Sequence, residues 1–435
     1  MIEHDSLKEI EKKDLANRTP FFYGWVILAA GTFGIIMTGP GQTFSVSIFI
    51  EHIIEDLGIS RTLVSTLYSI GTLIGGFTLP WWGRQIDRQG ARKMVAVISL
   101  LFGLSCIFMG FVQNAIMLGI GFVLIRMLGQ GSLGLVSQTV INQWWVRKRG
   151  MAMGISGLVM SLVGMGVFPT LVFALISAFE WRVTFGILGM AVLLLMLPVG
   201  LLFFRNKPEE YKLHPDGVAL PESNESVLVG DSHAIEENWT LNEAIKTRVF
   251  WILVVGTTSF SLIGTGIFFH LVSIFDTQGL SAALAASVFV PVSIAAALAT
   301  LLGGYLADHF PLKYLLAFSL VMQAVSLFSV RILTGPGTAI LFGVILGASL
   351  GISRTVGTVV WPAFYGRLHL GSIFGFIFSI SIIGAAIGPL PFGFVYDQIG
   401  SYQPVLVVSA VISILLGLIS LSIKKPSRNE PLNII

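Results

Sequence analysis

Charge is what this sequence has least of. Only 11% of its 435 residues are charged, while 54% are hydrophobic, and a soluble domain carries about 25% charged residues. A water-facing surface of this size cannot be covered with so few charges, which excludes an ordinary soluble enzyme. Cysteine is almost absent. The one copy, Cys106, sits in an apolar run and excludes a disulfide framework or a cysteine metal site. None of the 23 acidic residues falls in the middle of an apolar run, the nearest being Asp276 and Asp397 at run ends. With no histidine or cysteine cluster either, no metal site, catalytic triad or other catalytic group is expected, and no cofactor. The first 20 residues lack the apolar core of a secretory signal. A net charge of +3, spread along the chain, gives no basic patch for nucleic acid, and no nucleotide-binding motif suggests ATP drive.

What is abundant points to lipid as the solvent. Mean hydropathy is +0.85, and the 48 glycines and 32 phenylalanines fit membrane helices. Apolar runs long enough to span lie at 22–49, 62–82, 94–113, 116–142, 151–177, 183–204, 249–275, 284–306, 314–333, 337–361, 371–395 and 402–423. The fold class expected is therefore an all-α membrane protein of twelve transmembrane helices. Of the 26 lysines and arginines, twenty-one fall in the termini and alternate loops on one side and only Arg61, Arg182 and Arg331 on the other. The positive-inside rule places both termini in the cytoplasm, as in a multi-pass protein of the cell (inner) membrane. The expected organisation is a tail at 1–21, a six-helix bundle at 22–204, a polar linker at 205–248, a second bundle at 249–423 and a tail at 424–435.

The two halves repeat at an offset of about 221 residues. Gly83 and Asp87 recur as Gly304 and Asp308, Gly150 and Gly154 as Gly371 and Gly375, and Trp181 lies opposite Tyr402. Parallel six-helix repeats put a shared cavity between the halves near the midplane. GRQIDRQGARK at 83–93 and RMLGQGSLG at 126–134 resemble the loop and helix 4 motifs of the major facilitator superfamily. FYGW at 22–25, WWVRKRGMAMGI at 144–155, RNKPEEYKLHPDG at 205–217 and GRLHLGSIFG at 366–375 are similar to its monocarboxylate and oxalate/formate porters. The resemblance implies a secondary transporter that carries a small organic anion, such as a monocarboxylate, by rocking its halves, with protons or a counter-anion as co-partners, the bilayer as its surroundings and a monomer as the working unit. It also implies a gating motif of Gly83, Asp87, Arg88, Gly90 and Arg92, repeated as Gly304 and Asp308. Arg88, Arg92 and Arg147 to Arg149 are the expected partners of Asp87. Such porters typically place an arginine in helix 8 and, for oxalate, a lysine in helix 11. Neither run here carries a charge, which disfavours oxalate.

Two cations remain inside the spans. Arg126 and Arg354 face no carboxylate in sequence, and guanidinium groups in a cavity suit an anion. Helical spacing puts Gln130 and Ser137 on one face with Arg126, and Gly347, Gly351, Thr358 and Trp361 on one face with Arg354. For Arg126, a structural role in the helix 4 motif competes equally with substrate binding. His270 is the one histidine in a span, either a proton carrier or a satisfied interfacial group. Thr38, Gln42 and Ser45 line one face of helix 1 beside Gly39, Pro40 and Gly41, which expose backbone to substrate or only kink the helix. The stripes Gly154, Gly157, Ser161, Gly164 and Gly371, Gly375, Ser379 read as packing surfaces. A drug or metabolite exporter with the same fold is the alternative, weakened by the lack of a membrane carboxylate.

Overall fold

The protein's structure, a computed structural model, describes residues 15–59, 61–217 and 237–426. Among these residues ten helices are long and apolar enough to cross a membrane, with a shorter apolar one at Arg149–Gly164. Two further helices escape that measure, which makes twelve among the described residues. Arg61–Gln89 is diluted by threonine, serine and a charged end, and the fifth and sixth helices run together across Glu180, whose φ of 67° breaks the helical path.

In the first half α1 consists of Gly24–Ile36 and Thr43–Leu57 joined by a 3-10 turn, Gly39–Gly41. Then come α2 (Arg61–Gln89), α3 (Ala91–Met109), α4 (Ala115–Trp144), α5 (149–179) and α6 (181–203). The second half repeats this with α7 (Arg248–Asp276), α8 (Phe289–His309), α9 (Leu312–Ile332), α10 (Pro336–Tyr365), α11 (Leu370–Ile387 with Pro389–Ile399) and α12 (Gln403–Leu421). Helix starts carry local signals: the Asn114 side chain accepts from Met117 N at 3.0 Å, and Thr247 Oγ1 from Phe250 N at 3.3 Å. At the far end of α1, Gly58 takes the left-handed conformation that stops a helix, and Asp56 pairs with Arg182 at the start of α6.

One face of the bundle carries the linker, and three separated sequence motifs meet there. Trp145 Nε1 donates to Gly24 O at 3.0 Å, Trp144 Nε1 to Arg205 O at 3.1 Å, and Tyr23 OH to Phe203 O at 2.9 Å. Asp216 accepts from the backbone N–H groups of Val146, Arg147 and Lys148 at 3.1, 2.8 and 3.1 Å, so the 205–217 segment caps the α4–α5 loop. The second half is treated alike: Asn238 Oδ1 accepts from Arg367 N and Leu368 N, both at 3.0 Å, in the α10–α11 loop. Each end of the linker thus fastens to its own half, and Glu209 in the first end also reaches Arg367 of the second half. The middle of the expected linker, 218–236, and the tails at 1–14 and 427–435 lie outside the described residues.

Candidate functional site

The halves meet most closely on the linker face. The Asp87 carboxylate, in the last turn of α2, accepts from Gly371 N at 2.8 Å and from Ser372 N at 2.7 Å, and also from the Ser372 hydroxyl. In the other half Asp308, at the end of α8, accepts from Gly150 N at 2.7 Å and Met151 N at 2.8 Å. The arrangement is reciprocal and follows the repeat: each carboxylate sits on the first N–H groups of a helix in the opposite half, where orphan donors and the positive dipole end favour an anion. This corrects the expectation that Arg88, Arg92 and Arg147 to Arg149 partner Asp87. Arg92 Nε instead donates to Leu201 O at 3.0 Å within its own half.

Glycine makes this approach possible. A Cβ on Gly83 would collide with Gly371 O, and one on Gly150 with Gly304 O, so backbones touch where the halves close. The stripe glycines pack across the same seam, Gly375 against Leu79 O and Gly154 against Gly304. Ser379 Oγ donates to Gly76 O, and Arg367 donates to Gln143 O while its Nη2 lies 2.7 Å from Glu209. Sequence reading missed Gln143, Glu209, Asp216, Asn238 and Arg367, because each acts through a loop contact with no helical spacing to announce it. Gly90 has a φ of 84°, which a side chain would strain. The exposed Arg88 does not contact Asp87.

Away from that seal, a cavity of about 590 Å³ lies between the halves. It is lined from the first half by Gln42, Gln138 and Ser156 and from the second by Thr257, Arg354 and Trp361, with Phe44, Phe260, Phe268 and Phe378 in its walls. Arg354 is the one charged residue lining it, and no described residue makes an ion pair with its guanidinium or accepts a hydrogen bond from it. Trp361 is fully buried with its Nε1 unbonded, and Gln138 Oε1 and Ser156 Oγ are buried without partners as well. Buried polar atoms are normally satisfied, so these three stand out beside the cavity, into which the exposed Arg354 projects. A volume of this size falls within the range of about 300–1,000 Å³ usual for small-molecule sites.

The structure separates the other expected residues. Arg354, Thr358 and Trp361 share the cavity as their spacing implies, but Gly347 and Gly351 face α8, at Val292 O and Ala296 O. Arg126 is not in the cavity. It is buried between α1, α2 and α4, where its Nη1 donates to Gly41 O at 2.9 Å and its Nε to Thr72 Oγ1 at 2.9 Å, with the guanidinium 4.7 Å from the Tyr68 ring centre. Of its face mates, Gln130 is half-buried in a π-helical stretch, Arg126–Leu133, and does not line the cavity, and Ser137 is fully buried. Thr38 is buried and holds Gln42 in place, accepting from Gln42 Nε2 at 2.9 Å, while Gln42 itself reaches the cavity. His270 lies toward the face opposite the linker, 3.2 Å from both Pro389 O and Tyr402 OH, outside the cavity lining. Among the described residues no group of histidine, cysteine or acidic side chains could hold a metal.

The major facilitator superfamily model matches residues 28–310 and 277–434 of this chain. Monocarboxylate transporter 11 of Mus musculus is 24% identical over 394 residues, spanning 88% of this chain and 83% of its own. The probable L-galactonate transporter of Escherichia coli (strain K12) is 24% identical over 409 residues, 87% and 84% of the two chains. The crystal structure of the human organic anion transporter MFSD10 superposes with a TM-score of 0.70 at 12% identity, covering 93% of this chain and all of that one. Two six-helix halves, reciprocal contacts on one face and a cavity between them are the framework that parallel-repeat transporters share. This multi-pass membrane chain belongs to the major facilitator superfamily of transporters.

Proposed function

We propose that this transporter carries a small organic acid, a monocarboxylate, and that its carboxylate pairs with Arg354 in the cavity between the halves. One observation carries the reading: the sole charge lining the cavity is a guanidinium with no protein partner among the described residues. A guanidinium presents a planar fork that fits a carboxylate with two parallel hydrogen bonds. One cation and no acid favour a monoanion over a dicarboxylate or a cationic drug. The phenylalanines offer apolar faces to the rest of the substrate, and Gln42 and Gln138 offer hydrogen bonds for orientation. The relatives named above, a monocarboxylate transporter and a probable L-galactonate transporter, support an acid as cargo.

With the linker face cytoplasmic, as the excess of lysine and arginine there supports, the Asp87 and Asp308 contacts keep the cytoplasmic gate shut while the cavity loads. Inward opening then breaks both. The cavity holds no carboxylate to carry a proton, so coupling comes from a counter-anion, from the acid's own proton, or from His270 acting outside the cavity. The working unit is a single chain. Arg126, Gln130 and Thr38 serve by shaping α1 and α4, and not by touching cargo.

The test is a thermal-shift screen of purified protein against monocarboxylates, dicarboxylates, sugars, amino acids and lipophilic cations, with Arg354→Gln in parallel, followed by flux of the best ligand. A ligand at about 100 times its dissociation constant adds about 2.7 kcal/mol to the folded state. Stabilisation by a monocarboxylate that disappears in the variant is expected. Equal stabilisation of both proteins would remove Arg354 from the site, and a response to lipophilic cations alone would sink the acid reading altogether.

A further inference from the structure

A second opening lies on the linker face of the second half, away from the cavity between the halves. It is a groove of about 460 Å³ where the start of α9 meets the end of α12, with Lys313, Lys424 and Lys425 around it and Phe310, Phe364 and Ile423 among its walls. None of the three lysines forms an ion pair with a described residue. Lys313 is half-buried, its Nζ 5.2 Å from the Tyr314 ring centre, and the other two are exposed. Three lysines line one groove with no ion-pair partner among the described residues, and like charges gathered there favour a bound anion.

The repeat shows what this place looks like when it is filled. At the offset of 221, Lys313 corresponds to Arg92, and the first half closes around Arg92 with its own chain: Asn206 Oδ1 accepts from Arg92 N at 3.1 Å and Leu201 O from Arg92 Nε at 3.0 Å. The same offset sets Lys424 and Lys425 opposite Phe203 and Phe204. No side chain caps the start of α9. The second half therefore opens a basic groove where the first half has a satisfied joint. The apolar surroundings say from which medium the anion comes. Phe310, Tyr314, Phe318 and Leu421 are exposed on the adjoining helix surfaces, at 54%, 52%, 52% and 39%, which is unfavourable in water and natural against acyl chains. Basic pockets between spanning helices at a membrane surface bind acidic head groups.

We infer that this groove binds the phosphate head group of an anionic phospholipid, Lys313, Lys424 and Lys425 gripping the phosphate while Phe310 and Phe318 lie along its acyl chains. The site is independent of the cargo: it shares no lining residue with the cavity and its occupancy is read without a transport substrate.

The experiment takes the full chain purified in mild detergent and measures lipid retention by native mass spectrometry with added phosphatidylglycerol or phosphatidylcholine. The variant Lys313→Gln, Lys424→Gln, Lys425→Gln is compared with a charge-matched control, Lys148→Gln, Lys207→Gln, Lys246→Gln. The wild type and the control are expected to retain phosphatidylglycerol at least tenfold over phosphatidylcholine, and the groove variant to lose that preference. Melting curves without added lipid check folding. If the groove variant melts early, the single exposed change Lys424→Gln carries the test, with a loss of threefold or more expected. Equal retention by groove variant and wild type overturns the inference, as does equal loss in the control, which would mark a diffuse charge effect. Displacement of the lipid by equimolar glycerol 1-phosphate would reassign the groove to a soluble phosphate.

Discussion

Arg126 and Arg354 are equivalent in sequence, each a lone cation within an apolar run, and they do opposite work. Arg126 holds a carbonyl left free by the break in α1, so its charge is consumed inside one half. Arg354 lines the cavity with no ion-pair partner among the described residues. The two predict different phenotypes. Arg126→Gln should cost about 1–3 kcal/mol, since Gly41 O and the Tyr68 face are left in a dry site, and detergent melting curves should show the loss without any ligand. Arg354→Gln should melt at or above the wild-type temperature, because an unpaired cation is removed, and should weaken acid binding by about tenfold or more in titration calorimetry. Matching melting losses in both would mean that Arg354 is also a brace. The spacing rule that paired Arg354 with Thr358 and Trp361 succeeded because all three lie on one stretch of helix. It failed for Gly347 and Gly351, whose face turns to α8 as the neighbouring helix closes on it.

At the level of elements, the breaks in α1 and α4 fit one another. Pro40 and its flanking glycines tighten α1 into a 3-10 turn, and the facing stretch of α4 widens into a π-helix, in which Ser132 Oγ donates five residues back to Met127 O at 2.8 Å. A Cβ on Gly41 would strike Ile125 O and the Gln130 amide. Sequence showed the glycine and proline run but not its purpose, since kink and substrate contact read alike until the partner helix is present. The corner between α5 and α6 is cruder. Glu180 is exposed and takes φ 67° and ψ 165°, a region suited to glycine alone and costing other residues about 1–3 kcal/mol. Glu180→Gly should therefore raise the melting temperature, and an unchanged or lower value would show that the backbone there is not strained.

At the scale of the whole molecule, two carboxylates cross to opposite halves. Hydrogen bonds to an ionised group are worth about 1.5–3 kcal/mol each, so Asp87→Asn or Asp308→Asn should each move the balance between open and closed linker faces by about tenfold or more. The reporter is spin-label distance across that face, and the double variant should shift it further than either single one. Unmoved distances would demote both carboxylates to loop caps. A variant Gly371→Val should act in the same direction by steric means, since any side chain there meets the Gly83 backbone.

The sequence by itself determined the solvent, the number of helices, the repeat and the positions of the two membrane arginines, because hydropathy, periodicity and an offset are properties of order along a chain. It also marked Asp87 and Asp308 as a pair. Only the tertiary structure decided their partners, which are backbone N–H groups that every residue possesses and no motif can flag. It likewise decided which arginine meets the cavity, and that His270 and Gln130 do not line it. Those outcomes depend on how far each helix is rotated and broken against its neighbours. That rotation is fixed by packing between distant segments, such as Gly83 on Gly371 and Gly41 on α4, where the absence of a side chain lets two backbones touch.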